Sequence, residues 1–278
     1  MRPIIAASLF VVPGLASAQN LQPPAGVPGE TGRFGVATEI NADNTPGDAN
    51  SSFKIRASGS YYLSRDVLVQ PGFVGIEIAA DSVTIDMNGY TIRGFFGVGG
   101  FGIAPQDGAS AQTFTGFRLH NGHIREVQDG FSARRPIPQQ GETVLEEALV
   151  EDMTFDVTRQ GVQLDGGVVR RCAVRTLGDG VIMIGGIVRD SSVTLAGTGR
   201  GGGFGLSEAS AVNCIVRADD PTDKSGFSGL RSSITECTAV AVADGFVLID
   251  GMAARCYTSA PNAVQFLGQV SFFDCNFP

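Results

Sequence analysis

The sequence predicts an all-β chain wound as a parallel β-helix, a solenoid of about nine or ten coils, and three observations carry that reading. The first is self-similarity. GVQLDGGVVRRCAVR (161 to 175) is followed, 19 residues after it starts, by GVIMIGGIVRDSSVT (180 to 194), with glycines, apolar positions and the Cys172/Ser191 slot in register. The second is the continuation of that slot through Cys214, Cys237, Cys256 and Cys275, at steps of 23, 23, 19 and 19 residues from Ser191. Self-similarity at such periods marks a stacked repeat. The third is alternation: Val162/Leu164, Val181/Met183, Phe204/Leu206 and Phe246/Leu248 each follow a glycine with period two, the mark of a strand. A unit this short buries its apolar face only against its neighbours, so the coils stack at roughly 4.8 Å, the spacing of paired strands.

Taken in chain order, MRPIIAASLFVVPGLASA (1 to 18) joins Arg2 to an apolar run and an Ala16-Ser17-Ala18 end, the pattern of a secretory signal peptide. It predicts export by a bacterium, to the periplasm or outside. Residues 19–36 are Pro- and Gly-rich and read as an extended leader. Residues 37–70 bring the first β-patterned positions and are expected to cap the open first coil of a single domain spanning 37–278.

Coils follow from Gly75. Gly59-Ser60-Tyr61-Tyr62-Leu63, then Gly75-Ile76-Glu77-Ile78, then Val83-Thr84-Ile85-Asp86-Met87-Asn88-Gly89-Tyr90-Thr91-Ile92 resemble the opening coils of exported bacterial proteins of the pectin-lyase-like superfamily. The resemblance is specific over 37–94 and generic beyond. It implies right-handed coiling and a carbohydrate-related setting. No stretch matches a lyase or polygalacturonase catalytic motif, so it implies no activity.

Two coils are longer than the rest, with excess around 93–112 and 133–147; such insertions on a solenoid wall a groove. Shorter ones, 195–203 and 218–226, account for the 23-residue steps. Just before the Cys slot stand Asp152, Arg171, Asp190, Asn213, Glu236, Arg255 and Asp274, preceded by Asn88 and Asn121, a polar column read as a solvated ladder pairing Arg171 with Asp190 and Glu236 with Arg255 and Asp274.

Alternation turns Glu77, Ala104, Ser132, Gln163, Ile182, Gly205, Ser228, Val247 and Gln265 outward on the first strand of each coil, with Asp165, Ile184, Ser207, Leu230, Ile249 and Leu267 two places on. In the later coils this face is apolar. Ile182, Ile184, Val247, Ile249 and Leu267 therefore call for a cover, either a segment of the same chain or a protein partner or second subunit.

Polar candidates gather in 117–135. Arg118, His120, His123, Arg125, Asp129 and Arg134, with Arg135 beside them, hold the only two histidines of the chain and could supply a base and a carboxylate-binding cation for elimination from a uronate. Hydrolysis needs two facing carboxylates, for which Glu77, Asp107, Asp129 and Asp165 are available; Glu146, Glu147 and Glu151 read as a solvated segment. Asp219, Asp220 and Asp223 share a turn and form a weak calcium candidate. GTGRGG (197 to 202) lacks the strand-to-helix setting of a dinucleotide site.

Five cysteines in one slot leave two arrangements open: a stack of free, buried thiols, or bridges such as Cys214 to Cys237 and Cys256 to Cys275. The formal net charge of −8 and the lack of a basic stripe argue against nucleic acid and anionic membranes as partners, and no apolar run outside the signal segment is long enough for a membrane span. Two functions remain. One is a secreted glycan-interacting protein, a polysaccharide lyase or hydrolase acting in the insertion-walled groove. The other is a non-catalytic surface or assembly module that binds a partner through the apolar face.

Overall fold

The computed structural model describes residues 37–278 except 97–98, 107–110, 138–140, 199, 221, 223, 241 and 278, with backbone alone at 135–137, 141 and 263. Residues 1–36, where a signal peptide and a leader are expected, lie outside the described residues.

Among the described residues every helix or strand is a strand. Ten long strands lie side by side in one sheet: Ser51–Ile55, Val74–Ile78, Phe101–Pro105, Asp129–Ser132, Gln160–Asp165, Asp179–Ile184, Gly201–Ser207, Lys224–Leu230, Asp244–Ile249 and Asn262–Leu267. Every pairing along this row is parallel. Coils are numbered 1 to 10 by these strands. From most long strands the chain passes into two short stretches, for example Val168–Arg170 and Ala173–Thr176 in coil 5, or in coils 3 and 4 into one strand bent at the corner, and these pair in a second sheet of 18 strands. The chain is thus a parallel β-solenoid, as its repeats predict. Residues 51–70, within the expected cap, already form a complete coil whose three strands pair in parallel with those of coil 2.

The polar column has a backbone reason. Asn88, Asn121, Asp152, Arg171, Asp190, Asn213, Glu236, Arg255 and Asp274 all have φ between +49° and +63° and form the corner between the two short stretches. Asn and Asp tolerate this left-handed conformation best, which accounts for their share of the column. The pairing differs from the expected ladder: Arg171 binds Asp152 (Nε to Oδ1, 2.6 Å), Asp190 accepts from Asn213 (2.8 Å), and of the expected pairs Arg255 and Glu236 meet at 3.0 Å.

The slot that follows the corner holds Cys or Ser because its side chain closes that turn. Each thiol or hydroxyl donates to the carbonyl two residues back: Cys172 to Arg170 (3.3 Å), Ser191 to Arg189 (2.8 Å), Cys214 to Val212 (3.3 Å), Cys237 to Thr235 (3.2 Å) and Cys256 to Ala254 (3.3 Å). Ser191 Oγ and Cys237 Sγ also accept the backbone N–H of the preceding coil, from Cys172 and Cys214. All five thiols are free, four of them buried. Burial pushes Cys172 up to about 12 and Cys256 up to about 11, so little thiolate forms at these two at neutral pH, while the hydrogen bond with Cys237 pulls Cys214 down. Native protein treated with an aromatic disulfide reagent is expected to react slowly, at the half-buried Cys275 first. Five rapid equivalents without denaturant would contradict the stack.

Inside, apolar columns run the length of the solenoid. Phe204, Phe227 and Phe246 stack with ring centroids 5.0 and 5.1 Å apart, close to the spacing of the strands that carry them. Gly75, Gly102, Gly130, Gly161, Gly180, Gly203 and Gly226 form another column at the start of the long strands, where the returning short stretch comes too near for a side chain. A Cβ on Gly161 would lie 2.3 Å from Val174 Cγ1.

Both long insertions leave the long-strand track and return to it. After Phe101–Pro105 the chain comes back at Thr113–Thr115. After Asp129–Ser132 it forms the antiparallel hairpin Arg134–Ile137 and Gly141–Glu146, whose second strand pairs with Thr113–Thr115. This hairpin packs against Phe101–Pro105. Beside it the outward-pointing Glu77, Ala104 and Ser132 are buried, where alternation alone expects solvent. Glu77 has Lys54 Nζ at 3.3 Å. The described parts of the insertions therefore lie down on the first half of the face, away from the histidines.

Candidate functional site

The second half of that face stays open. Its two outward columns run as alternation predicts, Gln163, Ile182, Gly205, Ser228, Val247 and Gln265 in one and Asp165, Ile184, Ser207, Leu230, Ile249 and Leu267 in the other. A shallow apolar depression of ≈ 380 Å³ is lined by Ile182, Ile184, Leu230, Val247 and Ile249, together with Ser228. Leu267 is 66% exposed and Ile184, Leu230 and Ile249 about a third.

Ser228 also borders a polar cleft of ≈ 660 Å³, lined further by Asp179, Arg200, Ser225, Asp244 and Asn262. The cleft forms where the long strands of coils 6 to 10 begin, and Arg200, Gly201, Gly202 and Ser225 from the two short insertions line it. Gly202, Ser225, Asp244 and Asn262 stand in one register column. Asp179 Oδ1 accepts the N–H of Gly202 (3.0 Å), and Asp244 Oδ1 accepts from Asn262 Nδ2 (3.0 Å) and Gln265 Nε2 (2.9 Å). Beneath the rim Lys224 is fully buried, its Nζ donating to the carbonyls of Leu177 (3.3 Å) and Ala196 (3.5 Å). That ammonium ties the turns entering coils 6 and 7 to coil 8, since a buried cation needs such acceptors.

The two carboxylates do not form a hydrolytic pair. Asp179 and Asp244 stand three coils apart, about 14 Å at the strand spacing. A glycosidase pair lies roughly 5 to 9.5 Å apart across the sugar bond.

The residues predicted in 117–135 are spread over different faces. Arg118 and His120 stand before the Asn121 corner and His123 and Arg125 after it, in one strand that bends there. His120 Nδ1 is 3.8 Å from Asp86 Oδ1. His123 and Arg125 border a recess of ≈ 300 Å³ with Thr91, Thr154 and Asp156. Asp129 begins a long strand, buried, where desolvation pushes its carboxyl above the ordinary range against the pull of Arg159 (Nε to Oδ1, 2.8 Å). Arg134 is held in the hairpin by Glu142 (2.8 Å) and Asp165 (2.5 Å). The corner at Asn121 and the change of sheet at Asp129 separate what a linear reading groups together. Of the carboxylates considered for hydrolysis, Asp107 lies outside the described residues.

Glu151 is the clearest departure from expectation. Instead of lying in a solvated segment it is 2% exposed, and Arg118, Arg170 and Arg171 converge on it, the last two at 2.6 Å (Nε) and 2.9 Å (Nη2). The sign was present in the spacing, because Glu151, Arg170 and Arg189 follow one another at the 19-residue period.

Two of the three calcium-candidate carboxylates have partners within the protein. Asp219 binds Arg175 (2.8 Å) and Asp220 accepts the N–H of Thr222 (2.9 Å), while Asp223 lies outside the described residues. Among the described residues no three His, Cys, Asp or Glu side chains are grouped as metal ligands would be.

No protein-family model matches the chain, and no curated protein matches it. Among solved structures it is similar to the GH136 lacto-N-biosidase of Eubacterium ramulus, with 8% sequence identity and a TM-score of 0.48 over 86% of this chain and 62% of that one. The chain thus spans less than two thirds of that enzyme's length.

Proposed function

We propose that this is a secreted or periplasmic glycan-binding β-helix, and that an uncharged polysaccharide lies along the outer face of the long strands in coils 6 to 10. The observation that carries this reading is the union, at Ser228, of a polar cleft bearing Asp179, Asp244 and Asn262 with a strip of half-exposed aliphatic side chains. A sugar chain offers hydroxyls on its edges and C–H on its faces, and such a surface meets both. Repetition every 4.8 Å or so supplies similar contacts to successive sugar units. Two carboxylates against one Arg200 favour a neutral chain over a polyuronate. Export rests on the composition of residues 1–18.

The test is retention on gels cast with neutral and uronate polysaccharides, with reducing ends and absorbance near 235 nm followed in parallel. A neutral glycan is expected to retard the protein without turnover. Asp244→Ala is expected to weaken the complex about tenfold, the worth of one charged hydrogen bond. Absence of retardation throughout the panel, combined with a concentration-dependent oligomer that Ile249→Asp disperses, would replace this reading with docking of a protein partner on the apolar strip.

A further inference from the structure

A separate recess of ≈ 480 Å³ lies on the outer face of the first short stretches, lined by Leu149, Val168, Arg170, Ile187, Arg189 and Val212. Two parallel columns build it. Leu149, Val168 and Ile187 follow one another in register, bounded by Arg118 before and Ser210 after. Two residues along each strand runs the column Glu151, Arg170, Arg189 and Val212. The result is an aliphatic strip of about 10 Å, three side chains at the strand spacing, flanked by guanidinium groups. Ile187 is 43% exposed.

The charges around this recess do not cancel evenly. Four guanidiniums, of Arg118, Arg170, Arg171 and Arg189, stand near three carboxylates. Glu151 is enclosed by the first three, Asp152 is bound by Arg171 (2.6 Å), and Asp190 accepts from Asn213 (2.8 Å). Arg189 makes no ion pair with a described residue, and it stands beside the strip at the Ile187 end.

From this placement we propose a binding site for an amphipathic anion, a carboxylate carrying a medium-length alkyl chain. The head group pairs with Arg189, whose planar fork donates to both carboxylate oxygens, and the chain lies over Ile187, Val168 and Leu149 toward Arg118. An uncharged hydrocarbon would cover the strip and leave the cation unanswered. A protein partner is a poorer fit, because stable interfaces cover about 800 Å² on each side and this strip is three side chains wide with a charged or polar residue at either end. The site lies on a different sheet from the glycan groove and does not rest on that reading.

Titration calorimetry of the full chain with sodium octanoate, 1-octanol and sodium acetate tests the assignment. Octanoate is expected to bind at one site, 1-octanol at least tenfold more weakly, and acetate not at all. Arg189→Gln is expected to weaken octanoate tenfold or more and bring it level with 1-octanol, and Ile187→Asp to abolish binding. Both substitutions are on the surface, and unchanged melting confirms that each variant folds. No octanoate binding up to millimolar concentration, or equal binding to Arg189→Gln and the parent, overturns the proposal. So does a dimer in sedimentation that Ile187→Asp dissolves, which assigns the recess to a second copy of the chain.

Discussion

Gly161→Ala is expected to lower stability by about 3 kcal/mol, the upper range for forcing a methyl group into a packed core, and to lower the melting temperature by about 6–12 °C. The added Cβ would stand 2.3 Å from Val174 Cγ1 and 2.5 Å from the carbonyl oxygen of Gly180. Neither atom is free to retreat, since Val174 is buried and the carbonyl belongs to the next coil of the same sheet. Gly205→Ala is the control. Its Cβ would find Ile182 Cγ1 at 3.7 Å and Ser228 Oγ at 3.8 Å, ordinary contact on the outer face, and stability should stay within about 0.5 kcal/mol of the parent. Urea unfolding followed by circular dichroism separates the two; equal midpoints would refute the close approach of short and long strands.

Glu151→Gln comes next in expected size, at about 1.5 kcal/mol lost at pH 7, the lower range for charged hydrogen bonds, because the carboxylate is buried while the arginines that bind it reach solvent. Burial alone would raise the Glu151 carboxyl, but the hydrogen bonds and charges of Arg118 and Arg170 outweigh it and leave the group below its ordinary value. A folded-state value below the unfolded one contributes stability that is present above the unfolded pKa of about 4.3 and fades as pH falls through the folded value. The gap between parent and variant should therefore be full at pH 7 and narrow progressively below about pH 4. Midpoints in urea at pH 7 and pH 3 decide it: a gap of the same size at both would mean that the glutamine acts through packing rather than through charge.

Much of this architecture is legible as arithmetic on residue numbers. Steps of 19 and 23 place Cys172, Ser191, Cys214 and Cys237 above one another, and period two turns Ile182, Ile184 and Ile249 outward, as the register pairs them. The site is less legible because it depends on what neighbouring loops do. Asp179 and Asp244 precede column glycines and read as turn punctuation, and only the folded rim at Arg200 and Gly202 gives them a cleft. Burial of Glu77 and Ser132 depends on a hairpin packing back on its own sheet, a long-range event that strand periodicity cannot encode. His120 and His123, three residues apart, lie on either side of a left-handed corner. The polar column carried that corner's signal in its Asn and Asp content, legible only once the column is read as backbone geometry rather than as charge.

The in-register columns also make the molecule a ruler. Because each layer touches only those above and below, duplicating one 19-residue segment in the middle of the chain would lengthen the outer face of the long strands by a single strand spacing and leave the layers on either side undisturbed. A longer or shorter face thus needs only the copying or deletion of whole turns, with no redesign of the interior.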